Sequence, residues 1–280
     1  MKLIFIILLF PMILLAESTN SKLDIIKLME EQQQNLFKKV SPAVVFIITK
    51  NQFGSGFFIS EDGLIVTNLH VIKNAKDITI VLNNGKKYSA KIEKKAKNNI
   101  DVALLKIDAK KVSFPFLNIE NVKNRKIGAW VATIGHGSGA IWSFNTGIIS
   151  NIYTEKSQKA IFQTQIPVSE GNSGGPVFDR KGNVLGILTA KLTNSNNINF
   201  AIDITKAMKE LEMAIPKKRF PLVIKTLKSA PIFVDKKRIG LGAEIKTYLT
   251  EGSHEIMVIL NGKIKKIKVN IPEKKEITIK

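Results

Sequence analysis

The stretch that decides the fold is Glu170-Gly171-Asn172-Ser173-Gly174-Gly175-Pro176, which stands directly before an apolar, β-prone run. Gly, Asn and Pro are the ordinary turn formers, so as structure alone the stretch predicts a tight loop that leads into a strand. As chemistry, the glycines allow backbone N–H groups to surround the serine hydroxyl and to donate to a developing oxyanion. Both interpretations stay open on this stretch alone, and residues upstream decide between them.

Two upstream residues supply what a serine nucleophile needs. His70 is one of three histidines and closes an apolar, strand-like run, and Asp101 stands just before a continuous apolar run. Each of them alone also fits a structural role, at a strand end or in a turn. A carboxylate at the edge of a core can, however, fix the tautomer of an imidazole and stabilise its charged form. Together His70, Asp101 and Ser173 follow the chain order of proteases with the chymotrypsin fold.

The surrounding sequence predicts an all-β fold. About six short β-prone runs, broken by turns such as Asp62-Gly63, lie between residues 43 and 107, and a second set of about six lies between residues 129 and 202. Hairpin turns of this kind separate antiparallel strands. Two such sets indicate paired barrels or sandwiches and not a parallel sheet. A short helix over residues 205–213, with Asp203 as its cap, is expected to follow.

Five stretches resemble the trypsin-like serine proteases of the HtrA/Deg branch. They occur in the order of that family between about Val40 and Met213. The resemblance implies that residues 41–215 form a protease domain of two six-stranded β-barrels, arranged as in chymotrypsin and trypsin. The stretches are Ser41-Pro-Ala-Val-Val, Gly54-Ser-Gly-Phe-Phe-Ile-Ser-Glu-Asp-Gly-Leu-Ile-Val-Thr-Asn-Leu-His70-Val, Asp101-Val-Ala-Leu-Leu-Lys-Ile-Asp, Gly171-Asn-Ser-Gly-Gly-Pro and Asn199-Phe-Ala-Ile.

The same resemblance implies a role for each catalytic residue. His70 acts first as a general base and then as a general acid, Asp101 orients its ring, and Ser173 is the nucleophile. The backbone N–H groups of Gly171 and Ser173 form the oxyanion hole. No cofactor is implied, and no metal site is predicted, because the histidines and carboxylates do not cluster at the spacing of metal ligands.

The resemblance also places the substrate pocket. Val168, with Ala190 and Lys191 across the cleft, is expected to line the primary pocket. Because no acidic residue lies deep there, we expect small or medium aliphatic side chains before the cleaved bond. Glu170 departs from the family, which often has Pro at this place. A carboxylate beside the oxyanion loop either disfavours an anionic transition state or points outward, and the sequence leaves both open.

The N-terminus has the pattern of an export signal. A basic tip, an apolar run from Leu3 to Leu15 and the small residue Ala16 predict a signal peptide over residues 1–16, although an uncleaved anchor stays open. Residues 17–40 predict an amphipathic helical segment. The chain has no Cys, so disulfides and lipid attachment to Cys are excluded. The expected location is the periplasm or cell envelope of a bacterium.

The C-terminal part predicts a separate module. Residues 216–221 are basic and flanked by Pro, which is typical of a linker. Residues 222–280 resemble a PEGA domain through Ala230–Gly240 and Glu251–Val258, although the tetrapeptide that names the domain is absent. This resemblance implies a small β-sandwich of the kind found on exported bacterial proteins, with His254 as a strand residue.

The net charge of +20 favours anionic partners. The lysines are spread along the chain without nucleic-acid motifs, so we do not expect nucleic acid as a partner. Contact of the basic C-terminal domain with cell wall or an anionic membrane surface stays open, as does oligomerisation. Residues 135–140 fit a dinucleotide fingerprint, but turn and strand residues follow where a helix is required, so nucleotide binding is excluded.

Taken together, these features predict an exported serine endopeptidase that cleaves polypeptides through a Ser-His-Asp triad and an acyl-enzyme, in protein quality control or processing outside the cytoplasm. The alternative is a catalytically inactive protein that keeps the protease fold for binding and is tethered to the envelope by its C-terminal domain. Reaction of Ser173 with a serine-directed probe distinguishes the two.

Overall fold

The computed structural model describes residues 23–109, 112–137, 141–153, 160–189 and 199–280. The chain divides into two compact units, of which one ends at Ala214 and the other spans Ile215–Lys280. The first unit contains two closed β-barrels, and the second contains one further sheet.

The first barrel holds six antiparallel strands. Its first strand pairs with the second and with the fourth, so the sheet closes on itself. The spatial order around the barrel is first, second, third, sixth, fifth, fourth. The strands are β1 (Val44–Ile48), β2 (Phe53–Phe58), β3 (Leu64–Thr67), β4 (Ile78–Val81), β5 (Lys87–Lys95) and β6 (Ala103–Ile107).

The second barrel repeats this arrangement. Its fourth strand pairs with its first and its fifth, which closes the sheet. The two barrels confirm the predicted all-β architecture of paired six-stranded barrels. The strands are β7 (Trp130–Gly135), β8 (Ser143–Ile152), β9 (Ile161–Thr164), β10 (Pro176–Phe178), β11 (Val184–Thr189) and β12 (Asn199–Asp203).

Continuous apolar runs occur because several strands are buried on both faces. Phe57 and Phe58 are neighbours in β2 and point to opposite faces, yet both are fully buried. Phe58 packs inside the first barrel with Ile65. Phe57 instead belongs to the core that joins the barrels, together with Ile134 and Phe178 of the second barrel. The two barrels therefore share a core, and truncating Phe57 to Ala costs about 3–5 kcal/mol in such a site.

Helices flank the barrels. α1 covers residues 23–40 and places Leu36 and Val40 in the shared core. Short 3₁₀ turns cover Ser41–Ala43, His70–Ile72 and Val122–Asn124. α2 spans Ile204–Glu210, where the Asp203 side chain accepts hydrogen bonds from the Thr205 and Lys206 amides. This cap satisfies amides that the first helical turn leaves without partners, as the sequence predicted.

The C-terminal unit is a five-stranded sheet in which two strands run the length of the module. β13 pairs along most of its length with β14, and a register shift between Lys225 and Ala230 divides it into two halves. One core contains residues from both halves, including Leu222 and Ile232. The strands are β13 (Arg219–Val234), β14 (Lys237–Thr250), β15 (Gly252–Leu260), β16 (Lys263–Ile271) and β17 (Glu276–Ile279).

The junction between the units differs from the predicted linker over residues 216–221. β13 begins at Arg219, so the strand includes Pro221. A proline lacks the N–H that a strand partner would accept. It fits at this position because β17, which also pairs with β13, does so only from Val223 onward. The PEGA resemblance stays a prediction. In the described part of the chain, no helix combines the length and the apolar character that crossing a membrane requires.

Candidate active site

The glycine-rich stretch forms a loop between β9 and β10, at one end of the second barrel. Its C-terminal side is held to β11, since the Gly174 amide donates to the Leu188 carbonyl at 2.9 Å and the Leu188 amide donates to the Gly175 carbonyl at 2.8 Å. Its middle is held to the first barrel, because the Ser55 amide donates to the Ser173 carbonyl at 2.8 Å. The loop therefore bridges the two barrels.

Two glycines of the loop are required by its backbone. Gly171 has φ +94° and Gly174 has φ +87°, a region that favours glycine. A Cβ on Gly174 would lie 2.1 Å from the Ser55 carbonyl oxygen and 2.4 Å from Thr67 Oγ1. A Cβ on Gly171 would lie 2.4 Å from the His136 carbonyl oxygen. Conformation and close packing thus both exclude side chains at these two positions.

His70 and Asp101 lie in direct contact on the first barrel. His70 begins a 3₁₀ turn shortly after β3, and Asp101 lies just before β6, the strand paired with β3. The His70 Nδ1 lies 2.5 Å from Asp101 Oδ2, and the His70 amide donates to Asp101 Oδ1 at 2.8 Å. Because a carboxylate only accepts, Nδ1 carries the proton, and in the neutral ring Nε2 keeps a free lone pair.

The Ser173 backbone and the side chain of Val71, the residue that follows His70, both lie close to Gly54. A Cβ on Gly54 would lie 2.7 Å from the Val71 side chain and 3.2 Å from the Ser173 carbonyl oxygen. Within the described residues, the Ser173 hydroxyl makes no hydrogen bond, and the His70 ring bonds only to Asp101. Catalytic hydrogen bonds are often long without substrate and tighten in the complex.

The amides expected to form the oxyanion hole are free to donate. Neighbouring amides are used within the loop, since Asn172 donates to the Ser169 carbonyl at 3.1 Å and Gly175 to the Asn172 carbonyl at 3.0 Å. The amides of Gly171 and Ser173, by contrast, have no acceptor in the part of the chain that the structure describes. They can therefore donate to a substrate oxygen.

The structure describes one of the three residues that the sequence predicts to line the primary pocket. Val168 is half-buried and packs against the core of the second barrel. Ala190 and Lys191 lie outside the described residues. Glu170 is exposed, so the carboxylate beside the loop lies in solvent, where its charge is screened.

Sequence reasoning missed two residues behind the loop, Ser55 and His136. The Ser55 hydroxyl lies 2.7 Å from the Gly171 carbonyl oxygen and 2.9 Å from His136 Nδ1. His136 is fully buried, and burial lowers the pKa of its imidazole to about 4. It lies in the stretch that matched the dinucleotide fingerprint. There β7 pairs with β8, which begins at Ser143. A lone His after a strand gave no signal of these contacts.

Comparisons with known proteins agree with this geometry. Residues 54–187 match the sequence model of the trypsin-like peptidase domain. A probable periplasmic serine endoprotease DegP-like from Halomonas elongata is 39% identical over 165 residues, which is 57% of this chain and 34% of that protein. Serine protease HTRA1B from Danio rerio is 37% identical over 187 residues, 60% of this chain and 38% of that protein. The chain thus spans about a third of the length of these relatives.

A solved structure agrees in fold. The inactive form of Rv3671c from M. tuberculosis H37Rv superimposes with a TM-score of 0.54 at 22% identity, covering 65% of this chain and 93% of that one. Both barrels, the glycine-rich loop and the His70–Asp101 contact lie in or beside the matched region. Residues 54–187 are therefore similar to the trypsin-like peptidase domain, and the same part of the chain is similar in sequence to HtrA serine endoproteases.

Proposed function

We propose that the protein is an exported serine endopeptidase that hydrolyses peptide bonds in polypeptides through an acyl-enzyme on Ser173. The observation that carries this proposal is the contact of His70 Nδ1 with Asp101 Oδ2 at 2.5 Å on the first barrel. The glycine-rich loop is held to the same barrel, because the Ser173 carbonyl accepts a hydrogen bond from the Ser55 amide. The contact with Asp101 leaves the other ring nitrogen of His70 available as a base.

The chemistry follows from these groups. His70 Nε2 takes the proton of the Ser173 hydroxyl while Oγ attacks the carbonyl carbon of the substrate. The negative charge that develops on the carbonyl oxygen is stabilised by the amides of Gly171 and Ser173. Asp101 stabilises the imidazolium, which then gives its proton to the leaving amine. A water molecule, deprotonated by His70, finally attacks the acyl-enzyme and releases the product.

Export and substrate preference are parts of the same proposal. The relatives named periplasmic endoproteases, including those from Halomonas elongata and Chlamydia trachomatis, support a location outside the cytoplasm. The apolar run near the N-terminus supports it independently. The half-buried Val168 is the described residue that supports a preference for aliphatic side chains before the cleaved bond.

The test is reaction with a fluorophosphonate, which reports an activated serine. We expect the purified protein to be labelled and Ser173→Ala to be unlabelled, with a loss of roughly 10⁴–10⁶-fold in peptide hydrolysis. Ser89→Ala is the matched control, since Ser89 is exposed on β5, and it should behave as wild type. A folded wild type that resists the probe while still binding unfolded polypeptide would support the inactive binding protein instead.

A further inference from the structure

Ser55 contacts the candidate oxyanion loop with its backbone and its side chain. Its amide donates to the Ser173 carbonyl at 2.8 Å, and its hydroxyl lies 2.7 Å from the Gly171 carbonyl oxygen. Its own carbonyl accepts a hydrogen bond from Thr67 Oγ1 at 2.7 Å. These bonds fix Ser55 to β3 on one side and to the loop of the second barrel on the other.

The direction of the hydrogen bonds assigns the proton on His136. A carbonyl oxygen only accepts, so the Ser55 hydroxyl donates its single proton to Gly171. Ser55 Oγ must then accept from His136 Nδ1, which lies 2.9 Å away, and Nδ1 therefore carries a proton. The result is a directed chain from the His136 N–H through the Ser55 hydroxyl to the Gly171 carbonyl.

The surroundings of His136 keep its ring neutral and in place. The ring stacks on Phe46 with a centroid distance of 4.7 Å and meets the edge of Trp142 at 4.7 Å. Its Nε2 is buried and has no partner among the described residues. A proton on Nε2 would bury an unpaired positive charge, and this desolvation is what lowers the pKa of His136. Only the neutral ring with its proton on Nδ1 fits this site.

The held carbonyl belongs to a residue whose neighbouring peptide units rotate easily. Gly171 has no Cβ and sits at φ +94°, so its backbone is poorly restrained by its own structure. One of the two candidate oxyanion donors is the amide of this same residue. We propose that His136 and Ser55 are positioning residues, which hold the Gly171 carbonyl so that the amides of Gly171 and Ser173 face the reacting oxygen. This inference rests on the proposed peptidase function.

Three variants separate this role from simple core filling. Ser55→Ala removes the hydroxyl that holds Gly171. His136→Phe keeps an aromatic ring between Phe46 and Trp142 but has no N–H. His136→Asn places an amide nitrogen at the same number of bonds from Cα as Nδ1, so it can restore the donor. Thr133→Val is the matched control, because the Thr133 hydroxyl is buried nearby and has no partner among the described residues.

We expect the activity changes to appear in kcat and not in KM. The kcat of Ser55→Ala and His136→Phe should fall by up to roughly 10²–10³-fold, the loss that follows removal of an oxyanion donor, with KM within about twofold. The rate of labelling by fluorophosphonate should fall in parallel. His136→Asn should recover most of the kcat lost in His136→Phe, and Thr133→Val should match wild type. Equal losses in the Asn and Phe variants, or a loss confined to KM, would overturn the positioning role.

Two structural measurements decide the inference even if the protein does not hydrolyse peptides. ¹⁵N NMR of imidazole-labelled Ser173→Ala protein should show His136 protonated at Nδ1 alone across neutral pH, and protonation at Nε2 would contradict the chain of hydrogen bonds. A crystal structure of Ser55→Ala should show the Gly171 carbonyl turned from its wild-type direction. An unchanged loop there refutes positioning by Ser55. Failure of the wild type to react with the probe refutes the peptidase function alone.

Discussion

Substitution of Gly174 by Ala tests whether the glycine-rich loop is pressed against the first barrel. A Cβ at this position would lie 2.1 Å from the Ser55 carbonyl oxygen and 2.4 Å from Thr67 Oγ1. One of these atoms belongs to the backbone of a barrel strand and cannot rotate away. The loop must therefore move, and Ser173, the preceding residue, must move with it.

A matched variant separates the two costs of this substitution. Gly85 has a similar φ of +79°, but a Cβ there would have no atom within 4 Å. A left-handed backbone costs a non-glycine residue roughly 1–2 kcal/mol, which applies to both variants. Overpacking adds about 1–3 kcal/mol at Gly174 alone. We therefore expect the free energy of unfolding to fall by about 2–5 kcal/mol for Gly174→Ala and by about 1–2 kcal/mol for Gly85→Ala.

The assay uses the position of the tryptophans. Trp130 and Trp142 are the two tryptophans of the chain, and both lie in the first unit, so urea unfolding followed by tryptophan fluorescence reports that unit. Labelling by fluorophosphonate should be lost or slowed at least about 10²-fold in Gly174→Ala, because misplacing a reacting group by about 1 Å has that effect. Equal destabilisation of both variants, with normal labelling of Gly174→Ala, would refute the close packing of the loop.

Two further predictions concern the C-terminal unit. Burial lowers the pKa of His254, but its hydrogen bonds to Asp235 and to the Thr250 carbonyl outweigh this and raise the pKa above its ordinary 6.5. The stability from this contact is therefore complete below pH 6.5 and is lost as the pH rises through the folded-state pKa. The free energy of unfolding, measured over a pH series, should show this decrease in the wild type and not in His254→Gln. The same pH dependence in both proteins would contradict the contact. The unit also carries 16 Lys or Arg against six Asp or Glu, so we propose that it contacts anionic membrane or wall polymers. Salt-sensitive co-sedimentation with anionic vesicles should be lost when four exposed lysines of β16 (Lys263, Lys265, Lys266 and Lys268) are changed to Glu. It should be kept when four exposed lysines of β5 or directly before it (Lys86, Lys87, Lys91 and Lys95) are changed to Glu instead. Equal loss of binding in both variants would count against a local binding surface on the C-terminal unit.

The strands could be predicted because their local pattern is strong, whereas their partners could not. Runs such as the one after Asp101 are apolar on both faces, since Leu104 points into the core shared by the barrels and Leu105 into the first barrel. That pattern indicates a strand without saying which strand lies beside it. The predicted linker also differs from the observed strand boundary, since the basic, proline-flanked residues from Arg219 to Pro221 pair with Tyr248 to Thr250 of β14.

The residues of the site show the same division. His70 and Asp101 could be named because an imidazole and a carboxylate have few other reasons to occur together in that order. Ser55 and His136 could not be named, because their hydrogen bonds join residues far apart in the sequence. His136 lies 81 residues from Ser55, and Ser55 lies 116 residues from Gly171. Ser and His after a strand are common residues, and only the folded barrels bring them to the loop.

The contacts between the barrels therefore set the geometry of the candidate site. His70 and Asp101 belong to the first barrel and Ser173 to the second, so no single barrel contains the constellation. What fixes their separation is the shared core around Phe57 and the bonds from Ser55 to the loop. Packed cores hold side chains to fractions of an ångström, because each void or clash costs free energy. It follows that substitutions in this shared core should change the chemistry at Ser173 before they unfold either barrel.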